Sequence, residues 1–241
     1  MRRAPLVLLL LLLLPAPAAA DDPSFLRVDQ TGFYRAQDVG VGYGVETARG
    51  IVAARGSDAA NFYGTLTHRV NVGFGVTDWL TLGIEQNVKQ DGMDFSVGVL
   101  APEVRVGRGV AAYSQARIRI NAPRPSTMVV GVAADRRIRA FTLAARAGFE
   151  STIAADSVER GVRYELGGAW SFARDWSLGA EFWGNSTWTG TGRQGDHHGG
   201  PTLQYDVGKL RLGLALAIGV RDRPTQLVVD CVGFLRASAR F

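Results

Sequence analysis

The sequence predicts an all-β fold: a transmembrane antiparallel up-and-down β-barrel of about twelve strands ending on a C-terminal Phe. Three observations lead there. Apolar residues recur at every second position through segment after segment. The opposite parity is polar and carries charges in mid-strand. Tight connections alternate with longer ones along the chain, as they do in barrels with short turns on one rim.

The chain opens on a different pattern. Arg2 and Arg3 precede an unbroken apolar run from Leu6 to Leu14, which Pro15 and Pro17 interrupt before Ala18, Ala19 and Ala20. A positive start, a short apolar core and small residues before a cleavage point form a secretory signal peptide. Cleavage is expected after Ala20, because a membrane anchor would need about 20 uninterrupted apolar residues. The predicted organisation is a signal peptide over 1–20, an N-terminal periplasmic or lumenal segment over 21–37, and the barrel over 38–241.

Leu210 to Val220 gives the plainest strand. Leu210, Leu212, Leu214, Leu216, Ile218 and Val220 share one parity, and Arg211, Gly213, Ala215, Ala217, Gly219 and Arg221 the other. Successive strand side chains point to opposite faces, whereas a helix would scatter those leucines round its axis. Leu80 to Lys89, Gly161 to Trp170, Arg139 to Glu150 and Val39 to Glu46 alternate in the same way. The predicted strands run over 38–49, 61–76, 79–89, 95–106, 110–121, 127–134, 138–150, 161–172, 176–188, 201–207, 210–221 and 227–241. Tight connections are read at Thr77-Asp78, Gly107 to Gly109, Asp135 to Arg137, Arg174-Asp175 and Gly208-Lys209. Longer ones are read at Gly50 to Ala60, Lys89 to Asp94, Ala122 to Ser126, Ser151 to Arg160, Thr189 to Gly200 and Asp222 to Pro224. Parity slips near Ala101-Pro102, which suggests a bulge, and His68 falls on the apolar parity, which suggests another.

Composition excludes several functions. There are 27 Lys+Arg and 22 Asp+Glu in all. Without Arg2 and Arg3 the excess falls to +3, with no basic run. Nucleic acid is therefore not an expected partner. One cysteine, Cys231, permits neither a disulfide framework nor a polythiolate zinc site. It has apolar parity and reads as a small apolar residue. No cofactor is expected. Gly40-Val-Gly-Tyr-Gly44 is strand glycine, since no helix follows to make a dinucleotide loop.

The polar parity is the predicted lumen lining: Glu46, Arg69, Glu85, Glu103, Arg105, Arg117, Arg119, Arg146, Arg163, Glu165, Glu181, Asp206, Arg211, Asp230 and Arg236. Basic and acidic groups nearly balance, so weak charge selectivity is expected, and Trp183 and Phe234 are the two aromatics read as inward. Opposite charges facing a lumen either lock it shut as a salt-bridged network or line a pore and orient solutes. Trp79 and Trp176 each follow an Asp in a tight turn, and with the terminal Phe241 they are the expected membrane-interface aromatics. His197 and His198 are read as lying in a glycine-rich extracellular loop beside Asp196. Three ligands adjacent in sequence are a weak case for a metal, and a solvated loop is the reading preferred. No Ser and His stand at the spacing general-base catalysis requires, so no enzyme is expected. Ser186 with His197 or His198 would be the pair to test for lipid hydrolysis.

Val72-Gly-Phe-Gly-Val-Thr-Asp-Trp-Leu-Thr-Leu-Gly-Ile-Glu85 resembles the Gly-x-Thr-Asp-x-Leu-x-Leu-Gly hairpin of the outer-membrane family labelled for the meta-pathway of phenol degradation. Gly195 to Tyr205 and the terminal Ala239-Arg-Phe241 are similar to its C-terminal part. The resemblance covers about half the chain and rests on hairpin motifs. It implies a channel in the Gram-negative outer membrane for small hydrophobic or aromatic solutes. Outer-membrane lipids and, during biogenesis, the barrel assembly machinery are the other expected partners. A structural, plugged barrel is the alternative, and an outer-membrane lipid hydrolase a third reading.

Overall fold

The computed structural model describes residues 37–54, 60–89, 95–107, 109–120, 126–153, 159–190 and 192–241. Among these residues there are twelve strands and no helix. The strands are β1 Val39–Ala54, β2 Ala60–Thr77, β3 Leu80–Lys89, β4 Phe95–Gly107, β5 Val110–Ile120, β6 Ser126–Ile138, β7 Phe141–Ile153, β8 Arg160–Ser171, β9 Trp176–Thr189, β10 Gly192–Val207, β11 Leu210–Asp222 and β12 Gln226–Arg240. Each pairs antiparallel with its neighbours in sequence, and β12 pairs with β1 to close the barrel. This is the antiparallel up-and-down barrel that the alternation predicts.

The pleat explains why. On β11 the leucines, Ile218 and Val220 are exposed, while Gly213, Ala215, Ala217 and Gly219 are buried. β7 repeats the pattern, with Phe141, Leu143 and Phe149 outward and Thr142, Ala144 and Arg146 inward. A water-soluble barrel would bury its apolar face; here Phe62, Trp79, Ile84, Val132, Leu216 and Ile218 are among the exposed large side chains. A continuous apolar exterior of this kind is stable only when something apolar covers it. Strands of 10 to 18 residues match or exceed the roughly 9–11 that a tilted transmembrane strand requires.

The β1–β12 seam runs the length of both strands and ends on the rim of the tight turns. Val39 and Phe241 exchange both backbone hydrogen bonds, at 3.1 and 2.8 Å. On the same rim Thr77 Oγ1 accepts from the backbone N–H groups of Trp79 and Leu80, fixing the β2–β3 turn. Gly208 supplies a left-handed residue, φ 58°, to the β10–β11 turn.

Four local expectations need correction. The turn between β6 and β7 falls at Arg139-Ala140, with Arg139 at φ 57°. Asp135, Arg136 and Arg137 instead continue the ladder opposite Ala144, Leu143 and Thr142. The β4 irregularities lie between Ser96 and Val99 and between Arg105 and Gly107, and Ala101-Pro102 pairs regularly with Gly83 and Leu82. His68 sits in an unbroken register opposite Val45 and Val88. No bulge turns it inward; it stays on the outer face, where Tyr43 Oη lies 2.7 Å from its Nδ1 and the rings stack. Finally, β10 starts at Gly192, so His197 and His198 belong to a strand paired on both sides, not to a loop.

Candidate functional site: the charged and aromatic interior

Extending β10 to Gly192 carries Asp196 and His198 onto the same inward parity as Thr202, Gln204 and Asp206. His198 is 5% exposed. Its Nε2 is 3.0 Å from Asp230 Oδ1 on β12, and its Nδ1 is 3.0 Å from Asp196 Oδ1. Asp230, whose side chain is 0% exposed, also accepts from Tyr63 Oη on β2 at 2.6 Å and pairs with Arg221 Nη2 on β11 at 2.7 Å. Arg221 Nε stands 3.7 Å from Asp196. One buried carboxylate thus collects a phenol, an imidazole and a guanidinium from three other strands. A buried charge persists only with such partners.

Gly219 makes this convergence sterically feasible. A Cβ on it would overlap both the imidazole of His198 and Oδ1 of Asp230. On the other side His198 stacks on Trp183, with ring centroids 5.4 Å apart and planes at 6°. Trp183 meets Phe234 edge-on at 5.7 Å. The guanidinium of Arg69 lies 5.8 Å from the Phe234 centroid and forms an ion pair with Glu46. From Asp196 to Glu46 the network is continuous and draws on β1, β2, β9, β10, β11 and β12.

A second cluster occupies the facing wall. Arg163 donates to Glu165 Oε1 through Nη2 at 2.8 Å and to Gln115 Oε1 through Nη1 at 3.3 Å. Arg146, opposite Glu165 in the ladder, lays its guanidinium 4.0 Å from the centroid of Tyr113. Glu181 is buried on the inward face of β9. Nearer the turn rim, Arg211 pairs with Asp206 across the β10–β11 hairpin. There Asn71, with its amide oriented to satisfy both neighbours, donates to the Gly42 carbonyl at 3.0 Å and accepts from Arg236 at 3.2 Å.

The side chains of Glu85, Glu103, Arg105, Arg117 and Arg119 lie outside the described residues. Of the aromatics near the turns, Trp79 and Phe241 are exposed, with Lys209 Nζ 5.7 Å from the Phe241 centroid. Trp176 packs on Tyr205 with centroids 4.5 Å apart. Cys231 is a free thiol on the exposed face.

The interior holds more aromatic surface than Trp183 and Phe234, because Tyr63 and Tyr113 also face inward and engage charged groups. Ser186 and His198 lie on opposite faces of the sheet, whereas Ser186 and His197 share the outward face of adjacent strands at diagonal positions, with no hydrogen bond between them. His198 faces inward, while His197 and Ser186 have outward parity. His197 contacts Tyr164, and Ser186 Oγ accepts from Arg193 Nη2 at 3.2 Å. Among the described residues no three His, Cys, Asp or Glu side chains are arranged to hold a metal ion.

Solved structures share this barrel. The crystal structure of an outer membrane channel from Pseudomonas putida F1 superposes with TM-score 0.61 at 11% identity, covering 92% of this chain and 100% of that one. A deletion mutant of the monoaromatic hydrocarbon channel TodX gives 0.54 at 9% identity, over 87% and 92%. The translocator domain of autotransporter NalP from Neisseria meningitidis gives 0.52 at 11%, over 88% and 91%. No family model matches the chain, and no curated protein is similar in sequence. The likeness is one of fold, and a barrel shared by channels and a translocator does not fix what crosses it. The label of the phenol meta-pathway gains no support from these comparisons.

Proposed function

We propose that the protein spans the Gram-negative outer membrane, after signal-peptide removal near Ala20, and acts as a passive channel for small solutes. The inverted faces support the location, since an apolar exterior is at rest only in lipid. The interior supports the pore. Thr142, Thr202 and Gln204 face inward on the turn side and are buried. Farther along, the inward side chains of Arg69, Glu46 and Arg163 keep 24%, 17% and 22% exposure, and water inside the barrel accounts for charged groups that face the lumen and stay in contact with solvent. This observation carries the channel reading.

Small residues surround those polar atoms on the turn side: Ala144, Ala169, Ser177, Gly213 and Ala215. Charged and aromatic side chains crowd the opposite half, which makes the His198–Asp230 network the candidate constriction. Its charges are interleaved rather than sorted to opposite walls, so discrimination by net charge is weak. Trp183, Phe234, Tyr63 and Tyr113 instead set aromatic rings beside hydrogen-bonding groups, with their faces packed on His198, Arg69, Arg221 and Arg146. A small aromatic solute with a polar substituent would pass by exchanging for one of these packed partners. The full burial of Glu165, Glu181 and Asp230 favours a second reading, in which the network seals the barrel.

Single-channel recording in a planar lipid bilayer separates the two. Discrete, reproducible steps, blocked by added aromatic solutes, are the expected result. A barrel that inserts and keeps its heat-dependent gel mobility yet passes no current would make the protein a sealed barrel.

A further inference from the structure

Near the rim opposite the tight turns the outward face carries a polar patch on three adjacent strands. There three strands align Arg160 on β8, Trp188 on β9 and Arg193 on β10 directly across from one another. Arg160 opens its strand, Trp188 is the second residue from the end of its own, and Arg193 is the second of β10. All three are exposed. The next row holds Val162, Ser186, Gly195 and Asp222, and the one below it Tyr164, Gly184, His197 and Val220. Arg193 Nη2 reaches back to Ser186 Oγ at 3.2 Å, so its guanidinium lies along the outer wall. Among the described residues no carboxylate pairs with Arg160 or Arg193.

Resting on the outer-membrane reading above, we propose that this row is a binding site for a phosphate-bearing glycolipid of the outer leaflet. Two cations flank an indole at the height where a barrel's apolar band meets headgroups. Neighbouring strands lie about 4.8 Å apart, so the two arginine backbones stand roughly 10 Å from each other, within the span of one large headgroup. Guanidinium groups match phosphate oxygens in a bidentate fashion. Below the row, Val162, Leu166 and Phe182 are exposed, giving acyl chains a surface directly beneath the phosphates. A free phosphate would use the arginines and leave that surface idle; an amphiphile uses both. The Ser186 hydroxyl holds Arg193 against the wall, and Asp222 at the end of the second row confines the positive charge to the β8–β10 side.

The test uses the full chain purified in detergent from the outer membrane of a Gram-negative host. Native mass spectrometry measures its binding of diphosphoryl lipid A and of the same lipid with its phosphates removed. The intact lipid should bind preferentially, and R160A/R193A should weaken its binding about ten- to hundredfold, the loss expected for two charge-assisted contacts. R160K/R193K, which keeps charge without the fork, should fall between. Equal binding of the two lipids by the unaltered chain, or equal binding by unaltered and R160A/R193A barrels, overturns the proposal. If R160A/R193A does not fold, the lipid preference of the unaltered chain and the lysine variant decide alone. Channel conductance and heat-dependent gel mobility report on the barrel reading separately: a normal barrel without phosphate preference defeats this site and leaves the channel standing.

Discussion

Replacing Asp230 with Ala is the sharpest perturbation of the interior. The carboxylate accepts from Tyr63 at 2.6 Å, contacts His198 at 3.0 Å and pairs with Arg221 at 2.7 Å. Hydrogen bonds to charged groups contribute about 1.5–3 kcal/mol each. The three do not simply add, because His198 and Arg221 both retain Asp196, at 3.0 and 3.7 Å. Only Tyr63 loses its described partner outright. The side chain is 0% exposed, so water does not readily substitute for it, and breaking a buried pair typically costs about 3–5 kcal/mol. The expected loss is therefore about 3 kcal/mol, at the lower end of that range. Urea unfolding in lipid vesicles, followed by tryptophan fluorescence, measures it, with Trp183 stacked on His198 as a local reporter. The denaturant slope should hold while the midpoint falls. A double-mutant cycle with Tyr63→Phe should show coupling of about 1 kcal/mol or more. A loss below about 1 kcal/mol for Asp230→Ala, with no coupling to Tyr63, would refute the idea that this carboxylate organises the interior.

Two further outcomes follow from the same geometry. Arg69→Ala leaves Glu46 without the guanidinium it pairs with, and should shift the reversal potential in a potassium chloride gradient toward cations; Glu46→Gln should shift it toward anions. Trp183→Ala removes the ring between His198 and Phe234 and should raise single-channel conductance, whereas unchanged conductance would place the constriction elsewhere.

The fold was legible because a barrel with an apolar exterior and a polar interior writes its two faces onto alternate residues. The β11 leucines and the β7 phenylalanines needed no tertiary information. The site was legible only in pieces. Glu46, Arg69, Glu165 and Asp230 stand out as charges at mid-strand, but the centre of the network lies in Gly192 to Pro201. That segment is rich in glycine, a residue strands disfavour, and local sequence reads it as a loop. Pairing with β9 and β11 overrides that preference. The missed signal was parity: Asp196, His198, Gly200, Thr202, Gln204 and Asp206 are evenly spaced along one face. Tyr63 and Tyr113 escaped for another reason. Both share parity with polar neighbours, and an amphipathic phenol is not marked by charge as facing inward. Arg221 sits on the polar parity of β11 in plain view, yet its partners come from strands that only the closed barrel brings near.

The β1–β12 seam has a kinetic consequence. Eleven of the twelve ladders join strands adjacent in sequence, so each forms as a local hairpin with little loop-closure entropy. The twelfth pairs Gly40 with Arg240 and must close nearly the whole described chain into a ring, which makes it the slowest contact by topology. The Asp230 cluster straddles that seam, with Tyr63 on β2 and the other members on β10, β11 and β12. It therefore cannot assemble before the ends meet. The network acts as a latch on ring closure, and a chain paused with its seam open would expose two strand edges without their lock.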